Sequence, residues 1–391
     1  MPTRGRTIAW CCALLLLVRI IAVGVALDGH ATTGRHAVLA GDVRRYRTIA
    51  AGNGTPYADF AVEYPPLTLG AIDALDRGTL RQSAERVMWS QVLLDGLIAL
   101  LLAWGWGRRA ALVYLLLGLA FAWYPFLYLR LDLLSVALAV GGLALIRRRL
   151  PVVGGATVAL ACFAKVWPLA LVPMFVARRS WRALGAFVAV GVAGAAAWVG
   201  WVGIDGPVQV LTFRGATGWH VESMIGAIVH VFATSDARMQ RGAARIGVVP
   251  DALRLGLPLL GLLATVGVGW LLRRIPRATV YVVDGVAPVA AVAALLVCAT
   301  LLSPQYVSWL LPFAAIAAVG GERAIGWLSA LVALLAVAIT RLVRLGRVVV
   351  APVDVAVRPR RGSVARRHGP RPDLLGSADG RPDDRRTGAR A

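Results

Sequence analysis

Apolar runs of roughly 17 to 25 residues follow one another along the chain with few pauses, each long enough to cross a lipid hydrocarbon core as a helix. The pattern predicts membrane helices over about 8–27, 84–106 and 110–128, a fourth that ends at Arg147, Arg148 and Arg149, and further helices over about 183–202, 252–272 and 279–301. A ninth ends at Glu322 and Arg323, and a last one covers about 325–343. Residues 151–177 break the rhythm, because basic clusters flank both sides and both belong on the same side of the membrane. Two half-helices folded back at Lys165 and Pro168 satisfy that demand; one tilted 27-residue helix is the alternative. Two long polar stretches, 28–83 and 203–250, stand between the apolar runs.

Composition supports lipid as the solvent: 58% of residues are apolar, 16% are charged and the mean hydropathy is +0.70. The chain is therefore expected to be an all-α polytopic membrane protein with one membrane domain over 1–343. The net charge of +22 comes from short arginine clusters between apolar runs and from the C-terminal stretch, so it marks topology and not a nucleic-acid groove. Arg4 and Arg6 place the N-terminus in the cytoplasm, and the run from Ile8 to Leu27, which lacks an A-x-A site, is expected to be a retained helix and not a cleaved signal. By alternation, 28–83 and 203–250 are outer loops. Residues 344–391, rich in Arg, Pro and Gly, are expected to be a disordered tail. The same count puts that tail outside, against its charge, so either a crossing is miscounted or the tail stands in place of a final helix, as a shifted reading frame would produce. Cys11, Cys12, Cys162 and Cys298 lie in or beside apolar runs without metal-ligand spacing and are expected to be buried residues.

The first outer loop carries carboxylates beside aromatics and prolines: G-D-V-R-R-Y at 41–46, then G-N-G-T-P-Y-A-D-F-A-V-E-Y-P-P-L at 52–67. Asp42 sits where a carboxylate could meet a lipid-borne substrate as a general base; a capping acid in an interfacial loop is the alternative. Tyr46, Tyr57, Phe60 and Tyr64 are expected to face the headgroup layer, with Pro56, Pro65 and Pro66 stiffening the loop. Lys165 is the only lysine in the chain and lies in an apolar stretch, where an ionisable group faces a partner or an aqueous cavity; a phosphate suits it, and snorkelling toward the cytoplasmic arginines or pairing with a membrane acid such as Asp95 are the alternatives. Arg130 offers a second phosphate ligand, with a surface pair to Asp132 as the bland reading. Arg214, and the loop pair His220 and Glu222, are further candidates, while Tyr306 and Trp309 are expected to anchor the interface, with sugar stacking as the alternative, and Arg19 and Asp95 are intramembrane charges of structural character, a pair with each other being one option.

The string D-x-x-x-Y followed by G-x-x-P-Y-x-D-F-x-x-E-Y-P-P resembles the opening loop of the polyprenol-phosphate-mannose-dependent mannosyltransferases of glycosyltransferase family 87. R-L-D-L-L at 130–134, A-K-V-W-P at 164–168, H-V-E-S at 220–223 and S-P-Q-Y-V-S-W-L-L-P at 303–312 are similar to further segments of that family, so the resemblance spans roughly 1–343. It implies a GT-C fold of about 10–12 membrane segments whose outer loops form the active site, with Asp42 matching the catalytic carboxylate. It further implies a polyprenyl-phosphate sugar donor, mannose above related sugars, a lipid or glycolipid acceptor, inversion at the anomeric carbon, and a multi-pass enzyme of the cell membrane acting on its outer face. Asp59, Glu63, Tyr64, Arg130, Lys165, Arg214, His220 and Glu222 are then the expected substrate-binding residues. No metal or other cofactor is expected, although Asp42 with Asp59 or Glu63 could hold a divalent cation. A transporter or lipid flippase is the competing class and a membrane scaffold the third; neither an evident repeat nor midplane polar residues favour transport.

Overall fold

The computed structural model describes residues 2–30, 41–119, 127–212, 215–232, 237–240, 243–275 and 277–345. All fall within one compact unit, Met1–Pro352; the expected tail lies outside the described residues from 346 onward. The architecture is all-α, that of a polytopic helical membrane protein. Among the described residues, four helices have the length and apolarity to cross a membrane: α1 (Pro2–His30), α4 (Leu80–Trp106), α9 (Trp181–Val202) and α12 (Asp251–Arg274). Trp10, Leu14, Ile21 and Val25 of α1 are exposed, as a face against lipid requires. The other α-helices of the described residues are α2 (Gly41–Ala50), α3 (Pro66–Leu75), α5 (Arg108–Leu117), α6 (Asp132–Arg147), α7 (Pro151–Ala164), α8 (Val172–Ala177), α10 (Asp205–Leu211), α11 (Met224–Phe232), α13 (Ala287–Cys298), α14 (Leu311–Val319) and α15 (Arg323–Leu345).

The expected helix ends are corrected in three places. Helix α5 stops at Leu117, and residues 120–126, which the sequence assigned to it, lie outside the described residues. The run expected over 279–301 enters through a π-helical turn, Val282–Val286, before α13. The next run opens with a 3₁₀ turn, Pro304–Trp309, ahead of α14. The second long loop is not plain coil: besides α10 and α11 it folds a three-stranded antiparallel sheet of β1 (Trp219–His220), β2 (Arg238–Gln240) and β3 (Ala243–Ile246) in the order β1-β3-β2. Trp219 pairs with Ile246 in its register, and both bury with Val249 in a small core of their own.

The half-helix reading of 151–177 holds. Helix α7 ends at Lys165, whose backbone turns extended (φ −158°, ψ 144°), and a 3₁₀ turn over Trp167–Leu171 leads into α8. Irregular backbone within a bundle must have its freed carbonyls satisfied, and Thr68 Oγ1 of α3 donates to the Ala164 carbonyl at 2.6 Å. Both limbs return to one arginine-rich end: Arg147 donates to the Gly105 carbonyl, Arg148 Nε donates to the Trp104 carbonyl at 3.0 Å, and Arg178 pairs with Asp284, which also accepts from Trp106 Nε1 at 2.9 Å. Small residues let α7 lie close against its neighbours: a methyl on Gly155 would meet the Ala183 backbone of α9, and one on Gly142 of α6 would meet Val158. Arg19 and Asp95 do pair, both 1% exposed, with Tyr114 and Tyr128 donating to the same carboxylate at 2.6 and 2.7 Å. Asp95 is thus committed elsewhere and is not the partner of Lys165.

Candidate active site

Helix α6 begins at Asp132 and ends at the arginine-rich end, so at 1.5 Å per residue its first turn lies roughly 22 Å from that end. Around this first turn is a cavity of about 630 Å³. Its polar floor draws on four elements: Asp42 from α2, Arg130 and Asp132 from the entry to α6, Lys165 from the broken helix, and Tyr306 and Trp309 from the 3₁₀ turn before α14. Val210, Leu211, Pro258, Leu262, Leu295 and Leu296 make an apolar wall on the side of α10, α12 and α13.

The charges on the floor pair in an interleaved way. Arg130 pairs with Asp42, and Lys165 Nζ lies 2.6 Å from Asp132 Oδ1. The bland alternative of a surface pair between Arg130 and Asp132 is therefore not what forms: the chain turn between them sends Arg130 toward α2 and Asp132 toward the break in α7. Asp132 is 2% exposed, and its Oδ1 also accepts from Trp309 Nε1 at 2.7 Å. Lys165 Nζ lies 4.8 Å from the Tyr306 ring centre and 5.3 Å from that of Trp309, within cation–π range. Tyr306 stacks on Trp309 at 4.2 Å and 20°, and Trp309 on Trp167 at 5.4 Å and 12°. Tyr306 and Trp309 are cavity residues and not interface anchors.

The first loop meets the cavity through its second half. Glu63 and Tyr64 line it; Glu63 takes a two-pronged contact from Arg45, Nε at 3.0 Å and a terminal nitrogen at 2.7 Å. Asp59 does not line the cavity. Its carboxylate accepts from the Thr55 amide at 2.6 Å and closes the turn at Gly54, which is where a local Asx-type bond explains it. The loop aromatics also turn inward, against the expectation that they face headgroups: Tyr46 and Tyr57 are 3% and 2% exposed. Tyr57 packs on Trp198 and Trp201 of α9 and its hydroxyl donates to the Tyr64 carbonyl at 2.5 Å. Burial first, then the neighbouring Tyr46, Glu63 and Asp42, push the Tyr64 phenol well up, so it stays protonated.

From the second loop come His220, Glu222 and Arg245, all on the cavity wall. His220 is buried, and burial, followed by the Arg245 charge, lowers its pKa to about 4, so the ring is neutral at pH 7. Glu222 at 3.9 Å is beyond hydrogen-bond reach of His220 Nε2 and does not reverse this. Arg245, 5% exposed, donates to the Gly218 carbonyl at 2.8 Å. Sequence reasoning missed it because β3 has no readable period. Gln209 of α10 was missed as well: it donates to the Tyr57 carbonyl and accepts from the Val62 amide at 3.1 Å, tying the second loop to the first. Arg214 lies outside the described residues.

The site thus brings together carboxylates, two paired cations, stacked aromatics and an apolar wall, an arrangement that can receive an anion carried on an apolar chain and a hydroxyl compound beside it. A family profile described as glycosyltransferase family 87 matches residues 64–304. The matched segment includes Tyr64, Arg130, Lys165, His220 and Glu222; Asp42, Asp59 and Glu63 precede it. Neither a curated protein nor a solved structure matches the chain.

Proposed function

The chain belongs to glycosyltransferase family 87, and from that premise we propose that it moves a sugar, mannose in our reading, from a polyprenyl phosphate to a lipid or glycolipid hydroxyl on the outer face of the cell membrane. The observation that carries this reading is the cavity itself: Arg130 and Lys165 on its floor suit a phosphate, and the wall of Leu211, Leu262, Leu295 and Leu296 suits an isoprenoid chain. The arginine-rich end then faces the cytoplasm and the cavity the outside.

In this mechanism the acceptor hydroxyl attacks the anomeric carbon from the face opposite the phosphate. The new glycosidic C–O bond forms as the C–O bond to phosphate breaks, the electron pair leaves with the phosphate, and configuration inverts. Asp42 takes the hydroxyl proton. Arg130 and Lys165 neutralise the charge that grows on the departing phosphate, the electrostatic part of catalysis, with Arg214 a further candidate from the sequence. Because Arg130 is paired with Asp42, a phosphate that draws Arg130 toward itself also releases the Asp42 carboxylate for the acceptor. Glu63, Tyr64, His220 and Glu222 contact the sugar or the acceptor, and Asp59 holds the loop.

The test is purified protein in lipid, supplied with labelled polyprenyl-phosphate mannose and a membrane lipid extract. Label is expected to move into lipid with the wild type, and Asp42→Asn is expected to lower the rate by roughly 10²-fold or more, the contribution of a general base. No transfer from the polyprenyl phosphate by the wild type overturns the donor; wild-type rates with Asp42→Asn overturn the base.

A further inference from the structure

The 3₁₀ turn over Pro304–Trp309 holds polar groups in two different states. Trp309 Nε1 is committed to Asp132, and beneath it Trp167 Nε1 donates to Ser135 Oγ at 2.8 Å. Tyr306, on the same stack, differs: among the described residues its hydroxyl makes no hydrogen bond, although the side chain lines the cavity and covers Lys165. The phenol feels the charges of Asp132, Arg130, Asp42 and Glu222, so it lies among the groups of both interleaved pairs. Its neighbour Gln305 also lines the cavity, is 4% exposed, and carries a buried Oε1 with no hydrogen-bond partner among the described residues. A buried acceptor left without a partner is costly, and an uncommitted donor beside it makes this turn a surface that a ligand completes.

Resting on the glycosyl-transfer reading, we propose that Tyr306 is a catalytic residue that donates a hydrogen bond to the departing phosphate. The physical case is one of complementarity. A phenol is a protonated donor at neutral pH, and its complement is an anionic oxygen. The cations that attract such an oxygen, Lys165 and Arg130, flank this side chain, and the Lys165–ring contact with the stack on Trp309 fixes its direction. As the anomeric C–O bond breaks, the electron pair collects on the phosphate oxygen, and the O–H of Tyr306 shortens its hydrogen bond to that oxygen while keeping its proton. The interaction strengthens as charge develops, so it acts on the transition state more than on the bound donor.

The test is Tyr306→Phe, which keeps the ring, the stack and the lysine contact and removes one oxygen. Three quantities are measured in lipid: kcat and donor KM for transfer, inhibition by free polyprenyl phosphate, and the thermal unfolding midpoint. The expected result is kcat lower by roughly 10- to 100-fold, donor KM within about twofold, inhibition by the carrier phosphate weakened about tenfold, and an unchanged midpoint. A wild-type kcat together with wild-type carrier inhibition overturns the proposal. A lower midpoint with kcat and KM changed in step overturns it too, since the hydroxyl would then be structural. Loss of transfer from polyprenyl phosphate by the wild type is a failure of the underlying function and is read separately, before the variant is compared.

Discussion

Asp132→Ala tests whether the floor of the cavity is built as described. The carboxylate is 2% exposed and one oxygen serves two donors, Lys165 Nζ at 2.6 Å and Trp309 Nε1 at 2.7 Å. Removing it strands a lysine whose side chain is 21% exposed. Breaking a buried pair costs roughly 3–5 kcal/mol, and because cavity water reaches this ammonium the low end, about 3 kcal/mol, applies. The orphaned indole N–H adds about 1 kcal/mol, so the single variant is expected to lose roughly 3–4 kcal/mol. Lys165→Met alone leaves Asp132, among the described residues, with the Trp309 donor, and is expected to cost about 3 kcal/mol by the same reasoning. The double variant removes both charges together and is expected to cost only about 1–2 kcal/mol, so it falls short of the sum of the two single effects by about 4–6 kcal/mol. Reversible unfolding in mixed micelles of the wild type and the three variants measures this directly. A coupling below about 0.5 kcal/mol would place the pair in the range of a solvated surface bridge and refute the burial argument for Asp132 as the anchor of Lys165.

Two further predictions concern the second loop. His220 has its folded-state pKa lowered to about 4 from the usual 6.5, so the unfolded chain binds the proton first as pH falls; stability is expected to be full above pH 6.5 and to decline down to about pH 4, by up to about 3 kcal/mol. His220→Gln removes that slope in unfolding measurements between those pH values, and an identical slope in both proteins would refute the assignment. Gln209→Ala removes two hydrogen bonds that tie the first loop to α10, together worth about 2 kcal/mol. Hydrogen exchange at the Val62 amide is expected to accelerate roughly 30-fold, with a fall in transfer rate; unchanged exchange would mean that the loop is held by its aromatics alone.

The fold was legible wherever one local signal decided the outcome. Arginine clusters predicted the helix ends at Arg147 and Arg178, and two clusters on the same side pointed to a break in 151–177, with one tilted helix as the alternative; the break occurs at Lys165. The second loop was not legible: β1 has two residues and β3 four, too short for any alternation to register. The π-helical turn at Val282–Val286 was invisible for a different reason, since an apolar run has the same composition whichever helical turn it takes. Nor could the tyrosines of the first loop be oriented from sequence. An amphipathic ring suits both a headgroup layer and a core, and only the packing of Tyr57 on Trp198 and Trp201, more than 140 residues away, selects the core.

The site divides along the same line. A solitary lysine in an apolar stretch announces a partner, but which carboxylate it meets is a tertiary fact: Asp95, Asp132 and Asp284 are all buried acids in or beside apolar helices, and the pairing depends on which end of each helix they occupy. Asp132 opens α6 and Lys165 closes α7, two antiparallel neighbours joined by a short turn, so their far ends must meet. Tyr306 carried a signal of a subtler kind. Tyr306 and Trp309 are three residues apart in the turn that Pro304 opens, and in a turn of three residues per repeat the side chains at i and i+3 eclipse. Their parallel stack at 4.2 Å follows from that geometry. In an α-helix the same pair would be offset by about 60° around the axis, and one ring would swing out of the stack. The 3₁₀ form of the turn therefore decides whether this tyrosine covers Lys165 or points away from it.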